Sequence, residues 1–240
     1  MKWLVKKCFL WVIVYIICLG IFSIIADAQG ASLSALILGL TAQADRTDYA
    51  IRINLLSVMQ WICLLIPPLY LSGYMIERHI KMFYVEVFRW KSYISWWKNI
   101  VAQVIYQLIV YLLLLYIFAR IIYGAMDCSL IIAVTLIGLH LLLLTGILSS
   151  AILYFGQAML PFLIIIFAES CGILMASRNL EIKNGLLPIW AMYQQSSLVE
   201  NGGFSISKIV FIESIVIIIL FLLNFKIVKI ISRRREYKRK

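Results

Sequence analysis

Residues 130–153 read LIIAVTLIGLHLLLLTGILSSAIL, a stretch with one histidine and no Asp, Glu, Lys or Arg. A bilayer core about 30 Å thick is crossed by about 20 apolar residues of helix, so this stretch is long enough to span it. Further apolar runs lie at residues 8–25, 51–76, 100–122, 158–176 and 206–228. Because the runs are continuous rather than alternating, they favour helices over barrel strands. We therefore predict an all-α polytopic membrane protein with six transmembrane helices.

The composition supports this class. The chain is 64% hydrophobic and 14% charged, whereas a soluble domain is nearer half apolar and a quarter charged. A core of this size cannot bury so much apolar surface, so lipid must cover the outer faces. We expect one transmembrane domain over residues 1–240, located in the cell membrane. The five cysteines form no close pair, and we interpret them as small packing residues rather than metal ligands or disulfides.

The net charge of +11 is unevenly placed. Most of the 22 Lys and Arg residues lie near the N-terminus, between residues 77 and 99, and in the C-terminal tail. Cytoplasmic loops of membrane proteins carry such an excess, so both termini and the 77–99 segment are predicted to be cytoplasmic. We expect the basic tail to contact anionic lipid headgroups, and we do not expect a nucleic-acid partner.

Three segments outside the runs are informative. Residues 77–99 interleave aromatic and basic side chains without Gly or Pro, which suits either a membrane-surface anchor or a docking surface for a cytoplasmic partner. Residues 31–42 are too short to span and too apolar for a free loop, so we expect an interfacial or re-entrant helix there. Residues 177–205 form a longer outer segment. Pro67-Pro68 predicts a kink or break, which is either a packing feature or a hinge.

Ionisable residues inside the runs are the candidate functional groups. His140, Glu169 and Glu213 each lie within an apolar run, where an acidic residue costs about 2.5–3.5 kcal/mol on insertion scales. Each is either a structural hydrogen-bonding group or part of a substrate pathway or polar latch. No H-E-x-x-H zinc motif and no G-x-x-x-x-G-K-[ST] phosphate loop occurs in the sequence, so we predict no catalytic residues and no ATP hydrolysis by this chain.

The layout resembles the permease subunits of type-2 ABC exporters, and most closely the small bacterial permeases linked to bacteriocin or lantibiotic export and self-immunity. The local resemblances are Glu77 after the second run, Arg89-x-Lys91 with Trp96-Trp97-Lys98 before the third, and Leu187-Pro188 with Trp190-Ala191-Met192-Tyr193 before the sixth. The topological similarity covers the whole chain.

The resemblance implies that ATP binding and substrate transport are carried out by different subunits. A separate cytoplasmic ATP-binding subunit would hold the ATP and Mg, a second permease subunit, identical or different, would complete the pore, and the substrate would be an amphipathic peptide or a lipid-like molecule. An outer gate would include Leu187, Pro188 and Trp190. The coupling segment within 77–99 would dock on the ATPase through nine residues: Glu77, Arg78, Lys81, Glu86, Arg89, Trp90, Lys91, Trp96 and Trp97.

Two other functions remain open from the sequence. The chain could be a stand-alone immunity or scaffold protein that binds a toxin or an envelope partner without transport. It could also be an intramembrane enzyme that uses His140, Glu169 or Glu213, although these residues come without a nucleophile or metal set in the sequence.

Overall fold

The computed structural model describes residues 55–83, 86, 92–123, 128–178 and 180–237, and these residues are predominantly helical. In chain order the helices are α1 (Leu55–Lys81), α2 (Tyr93–Tyr123), α3 (Cys128–Phe155), α4 (Met159–Arg178), α5 (Leu180–Lys183), α6 (Leu187–Trp190) and α7 (Ile206–Tyr237). A short 3₁₀ turn, Tyr193–Gln195, follows α6. The predicted helix at 8–25 and the predicted interfacial segment at 31–42 lie outside the described residues.

Four of the described helices are long and apolar enough to cross a membrane: Tyr93–Ile117, Cys128–Phe155, Met159–Ala176 and Ile206–Ile230. The predicted all-helical class is confirmed for the described residues, where the one β element is an isolated bridge between Ser196 and Phe204. The chain is thus compatible with a membrane protein, while the six spans and the cytoplasmic termini stay predictions.

Contacts between α1, α2 and α4 fix their relative directions. Tyr111 of α2 donates a hydrogen bond to the carbonyl oxygen of Leu64 near the start of α1, and Ile76 near the end of α1 lines one cavity with Trp97 near the start of α2. The two helices are therefore antiparallel. Glu77 at the end of α1 accepts a hydrogen bond from the residue that precedes α4, so α4 also runs antiparallel to α1.

Helices α3 and α7 run parallel to each other. His140 of α3 faces Glu213 of α7, and Ser150 further along α3 bonds Asn224 further along α7. Gly146 lies between these contacts, where an added Cβ would lie 3.2 Å from Leu220, so the two backbones approach closely. This small-residue contact is typical of membrane helix pairs, which gain stability from close packing rather than from exclusion of water.

The bundle therefore has two ends. We name as the link end the one that carries residues 82–92 between α1 and α2, the turn between α3 and α4, and the C-terminal part of α7. We name as the cap the segment 180–205, which covers the opposite end between α4 and α7. Gly156 makes the turn at the link end with φ of 76°, a conformation that favours glycine.

Both helices that flank the predicted 77–99 segment are longer than the apolar runs. Residues 77–81 belong to α1, and α2 begins at Tyr93, so the link itself covers residues 82–92. The two ends of the 77–99 segment are thus helical, as its lack of Gly and Pro allows, and its coupling role stays a prediction. The physical reason is that no Gly or Pro ends either helix where its apolar run ends, so helical hydrogen bonding continues through polar residues.

Helix α1 runs without a break through Pro67 and Pro68, so the break that the sequence allowed does not occur. Proline has no N–H, so the carbonyl of Leu64 loses the partner that residue 68 would supply in a regular helix. The hydroxyl of Tyr111 replaces it at 2.7 Å, and both groups are buried. The Pro68 carbonyl is in turn bonded by Ser72 Oγ at 2.7 Å. The Tyr111 hydroxyl thus satisfies a backbone carbonyl that lipid could not, and Ser72 Oγ adds a second bond to a carbonyl already within the helix.

Replacing Tyr111 with phenylalanine should lower the free energy of unfolding by about 1–3 kcal/mol, because it leaves the buried Leu64 carbonyl without a partner. The measurement is an SDS titration of the purified chain in mixed micelles. Tyr106→Phe is the matched control, since Tyr106 lies on the same helix with 71% of its surface exposed. Equal losses in the two variants would contradict the proposed role of the hydroxyl.

Candidate functional site

The three ionisable residues that the sequence singled out meet inside the bundle. Glu169 of α4 lies on one side of the His140 imidazole and Glu213 of α7 lies on the other. All three side chains are buried, with 0% exposure for His140 and Glu213 and 4% for Glu169. We name this group the His–Glu–Glu cluster. It lies about 18 Å along α3 from its first residue, at a depth far from either helix end.

The two carboxylates have unequal contacts with the imidazole. His140 Nε2 lies 3.1 Å from Glu169 Oε2, within hydrogen-bonding distance. His140 Nδ1 lies 3.8 Å from Glu213 Oε1, which is too long for a hydrogen bond. Among the described residues, neither oxygen of Glu213 has a hydrogen-bond partner. One carboxylate is therefore bonded, and the other is close but unbonded.

An aromatic side chain from a fourth helix completes the surroundings. The indole of Trp61 on α1 lies against His140, with ring centroids 6.3 Å apart and planes inclined by 42°. Trp61 is itself buried, at 2% exposure. Helices α1, α3, α4 and α7 thus all meet at one imidazole. A displacement of any of these helices would change the contacts of this histidine.

The cluster has the features of a polar latch. An ionised group costs several kcal/mol in low dielectric unless it is paired and hydrogen-bonded. The imidazole can bond Glu169 and Glu213 at the same time only if both ring nitrogens are used. Here it bonds Glu169 and not Glu213. A small rotation or helix shift could bring His140 Nδ1 to Glu213 or release Glu169. The arrangement can therefore hold a proton between helices and can favour one helix packing over another.

Metal binding at the cluster is not favoured. In the described part of the chain, no group of three His, Cys, Asp or Glu side chains is arranged to hold a metal ion, and this includes the cluster. The predicted lack of a metal site stays a prediction.

A second polar group links the same two helices nearer the link end. Asn224 of α7 is fully buried, and it donates from Nδ2 to Ser149 Oγ at 2.9 Å while its Oδ1 accepts from Ser150 Oγ at 2.7 Å. The contact of Asn224 with this serine pair was not predicted from the sequence. An asparagine inside the 206–228 run and a Ser-Ser pair inside the 130–153 run were the available signals, because polar side chains in apolar helices need partners.

The predicted coupling residues lie at the link end, but two of them face inward. Trp96 and Trp97 are each 1% exposed. Trp96 Nε1 donates to Glu86 Oε2 at 2.9 Å, and the Trp96 ring packs edge-on against Phe83 with centroids 5.0 Å apart. Both indoles therefore pack the start of α2 against the protein. Their predicted part in ATPase coupling stays a prediction.

Of the other predicted coupling residues at this end, some contact neighbouring side chains and three lie outside the described residues. Glu86 accepts hydrogen bonds from Trp96 and contacts His79 Nδ1 at 2.6 Å. Arg78 is half-buried, while 67% of the Lys81 side chain is exposed. Arg89, Trp90 and Lys91 lie outside the described residues, so their predicted role stays a prediction.

Glu77 joins α1 to α4. Its Oε2 accepts a hydrogen bond from the Ala158 N–H at 2.9 Å, and its Oε1 pairs with Lys81 Nζ at 2.5 Å. Ala158 precedes the first residue of α4, so the carboxylate satisfies an N–H that the helix leaves free. The hydrogen bond from Lys81 is the main reason that the pKa of Glu77 lies below its ordinary value of 4.5, and the Ala158 N–H adds to it against the opposing effect of burial.

This lowered pKa predicts a pH dependence. A carboxyl group with a depressed folded-state pKa stabilises the fold above its unfolded pKa, and the contribution disappears as pH falls through the folded value. The Tm of the chain should therefore fall on acidification below pH 4.5, and Glu77→Gln should make this fall smaller. Lys98→Gln, an exposed change at the same end, is the control. Identical Tm profiles for Glu77→Gln and the parent chain would contradict the pairing.

The predicted outer-gate residues lie in the cap. Pro188 is buried against α4, where an added Cβ on Gly172 would lie 2.9 Å from Pro188 Cγ. Trp190 Nε1 donates to the Asn184 carbonyl at 2.8 Å, and Leu187 is 37% exposed. Pro188 thus packs the cap against α4, while the Trp190 hydrogen bond lies within the cap. Whether these residues also gate a pathway stays a prediction.

The cap is fixed by its own contacts as well. Lys183 is buried and pairs with Glu200 Oε2 at 2.5 Å. At Gly203 an added Cβ would lie 2.5 Å from the Ser196 backbone, so only glycine allows this close approach. The cap is therefore an ordered cover rather than an open loop.

Long apolar helices with a buried ionisable cluster between them are typical of α-helical membrane proteins with a polar site inside the bundle. No family model matches this chain, and no curated protein or solved structure matches it.

Proposed function

We propose that this chain is the membrane subunit of an ATP-driven exporter of the type-2 ABC class, which moves an amphipathic peptide or lipid-like substrate with a separate ATPase. The His–Glu–Glu cluster is the observation that carries the transport part of this proposal. Ionisable groups at such depth are costly, and in membrane proteins they mark substrate or ion pathways and helices that move. A cluster that ties α3, α4 and α7 together suits a bundle that alternates between two packings.

The ATPase part of the proposal draws on the resemblance and on the charge of the link end. Lys81, Lys98, Lys226 and Lys229 all lie on the last turns of α1, the first turns of α2 or the C-terminal half of α7. Such an excess of basic residues favours the cytoplasmic side, where an ATPase would bind. The sequence has no phosphate-binding loop of its own.

The burial of Trp96 and Trp97 changes the expected docking surface. Ile94 is 48% exposed and Met82 is 46% exposed, and the side chains of Lys81 and Lys98 are also exposed. Apolar side chains with basic neighbours suit a groove on a partner protein with acidic edges. We therefore place the ATPase contact on these four residues in addition to Arg89, Trp90 and Lys91.

The test is reconstitution with a candidate ATPase subunit of the ABC class. Co-purification and higher ATPase activity in proteoliposomes are expected. Lys98→Glu should weaken the stimulation, whereas Lys208→Glu, the same charge reversal on an exposed residue at the cap end, should leave it unchanged. Failure to co-purify, together with unchanged ATPase activity when this chain is added, would contradict the proposal.

The stand-alone immunity or scaffold function is a second candidate, favoured by the cap. Leu198 and Val199 are 64% and 54% exposed at its tip, and exposed apolar pairs on an ordered surface suit a protein or peptide partner. On this alternative, a toxin or envelope protein should bind the chain without any ATPase. Leu198→Ser with Val199→Ser should then abolish that binding and leave the ATPase stimulation intact.

A further inference from the structure

A cavity of about 110 Å³ lies between α1 and α4 at the link end. It is lined by Tyr70, Tyr74 and Phe162, with the Glu77 carboxylate at its border and Met159 beside it. Met159 is the first residue of a candidate membrane span. The cavity therefore lies at the end of a span, where lipid headgroups meet the protein.

The lining suits a compact cation. The faces of aromatic rings attract ammonium groups, and aromatic cages of this kind bind quaternary ammonium ligands. The rings of Tyr70 and Phe162 lie edge to face, with centroids 5.9 Å apart and planes at 76°, so the two rings present differently oriented surfaces. The Glu77 carboxylate supplies negative charge at the same place, because its lowered pKa keeps it ionised at neutral pH.

The volume limits the group that can enter. An engineered apolar cavity of about 150 Å³ holds benzene, which has six heavy atoms. By the same proportion, 110 Å³ has room for about four heavy atoms. A trimethylammonium group has four heavy atoms, and the ammonium end of an ethanolamine group has three. A whole amphipathic peptide or a second acyl chain would not fit.

The charged side chain next to the Glu77 carboxylate is Lys81, which carries the opposite sign. Lys81 pairs with Glu77, and 67% of its side chain is exposed. An ammonium group in the cavity beside Glu77 would therefore have the exposed Lys81 side chain on its outer side. A phosphate fits this position, because Lys is a common phosphate ligand. A headgroup with an ammonium followed by a phosphate matches both charges, whereas an anionic headgroup without an ammonium matches only Lys81.

We propose that this cavity binds the ammonium of a zwitterionic phospholipid headgroup, with the phosphate of the same lipid on Lys81. The site joins α1 to α4, so the bound lipid would support the contact between Glu77 and Ala158. It is separate from the His–Glu–Glu cluster and does not depend on the proposed transport function.

The experiment places the full chain in nanodiscs that contain equal amounts of phosphatidylcholine, phosphatidylethanolamine and phosphatidylglycerol with the same acyl chains. The chain is then extracted in a maltoside detergent and washed, and the retained lipids are quantified by mass spectrometry. One of the two zwitterionic lipids should be enriched about fivefold over phosphatidylglycerol, the preference that cation–π attraction of about 1 kcal/mol gives. Which of the two is enriched identifies the quaternary or the primary ammonium.

The variants connect the enrichment to the cavity. Tyr74→Leu and Phe162→Leu should each reduce the enrichment to about one, while Tyr106→Leu, which changes an exposed ring on α2, should preserve it. Lys81→Gln alters an exposed side chain and so tests the phosphate contact even if the ring variants fold poorly; it should lower the enrichment. Equal retention of all three lipids, or an enrichment that all three site variants preserve, would overturn the proposal.

Discussion

His140→Leu is expected to lower the free energy of unfolding by about 3–5 kcal/mol, the cost of breaking a buried charge pair by removing one partner. The substitution leaves Glu169 without the 3.1 Å contact to the imidazole, and it leaves Glu213 without the ring nitrogen that lies 3.8 Å away. Leucine fills much of the histidine volume, so a cavity accounts for little of the loss. An SDS titration of the purified chain in mixed micelles measures the effect.

Two comparisons make the result specific to the cluster. Thr135→Leu changes an exposed polar residue on the same helix whose hydroxyl bonds only the Ile131 carbonyl in the described contacts, so it should stay within about 0.5 kcal/mol of the parent. A triple variant with leucine at 140, 169 and 213 should recover most of the stability, because apolar replacement of a whole buried ionic group is often neutral or stabilising. Although stable, this triple variant should abolish the proposed transport.

The opposite pattern would contradict the latch. If His140→Leu left the unfolding free energy unchanged, the two carboxyl groups would not depend on the imidazole. If the triple variant were no more stable than His140→Leu alone, the loss would come from packing rather than from unpaired charge. A triple variant that was stable and still moved substrate would remove the cluster from the proposed mechanism.

The sequence predicts the helices because lipid imposes a simple rule. Every backbone group in an apolar environment must be bonded within its own segment, so the apolar runs at 100–122, 130–153 and 158–176 correspond to α2, α3 and α4. The helix ends were harder to predict, since α1 and α7 continue into polar residues. An apolar run marks what lipid requires, whereas a helix ends only where a breaker or a cap ends it.

The cluster could be predicted in part. Each of its three members is conspicuous alone, because an ionisable residue in an apolar run carries a desolvation cost that something must offset. Their meeting could not be predicted, since His140 and Glu169 are 29 residues apart in the chain and contact depends on helix rotation and order. The partner of the Leu64 carbonyl could not be predicted for the same reason. The prolines indicate that a carbonyl loses its helical partner, but they do not indicate that Tyr111 of another helix replaces it.

The orientation of the aromatic residues at the start of α2 depends on where the helix begins, which the apolar run 100–122 does not mark. Tyr93, Trp96, Trp97 and Ile100 recur at the i, i+3, i+4, i+7 spacing of one helix face, so the periodicity indicates their common inner side only once the helix is known to begin as early as Tyr93. The structure selects Trp96 and Trp97 for the interior and leaves Ile94 and Lys98 outside. The composition thus identified a segment with unusual contacts, while packing against Phe83 and Glu86 decided which residues make them.

Trp96→Ala is therefore expected to cost about 3–5 kcal/mol of unfolding free energy, the usual range for removing a buried large aromatic side chain. It removes the hydrogen bond to Glu86 and the ring contact with Phe83 together. Ile94→Ala, two residues earlier and 48% exposed, should change stability by less than about 1 kcal/mol.

The effects of the two variants on ATPase binding should have the reverse order of their effects on stability. Ile94→Ala should weaken binding in a folded chain, and Trp96→Ala should reduce it only in proportion to unfolding. A Trp96→Ala chain that was as stable as the parent but no longer bound the ATPase would return the indole to the docking surface, because a side chain that contributes nothing to the fold is free to contact a partner.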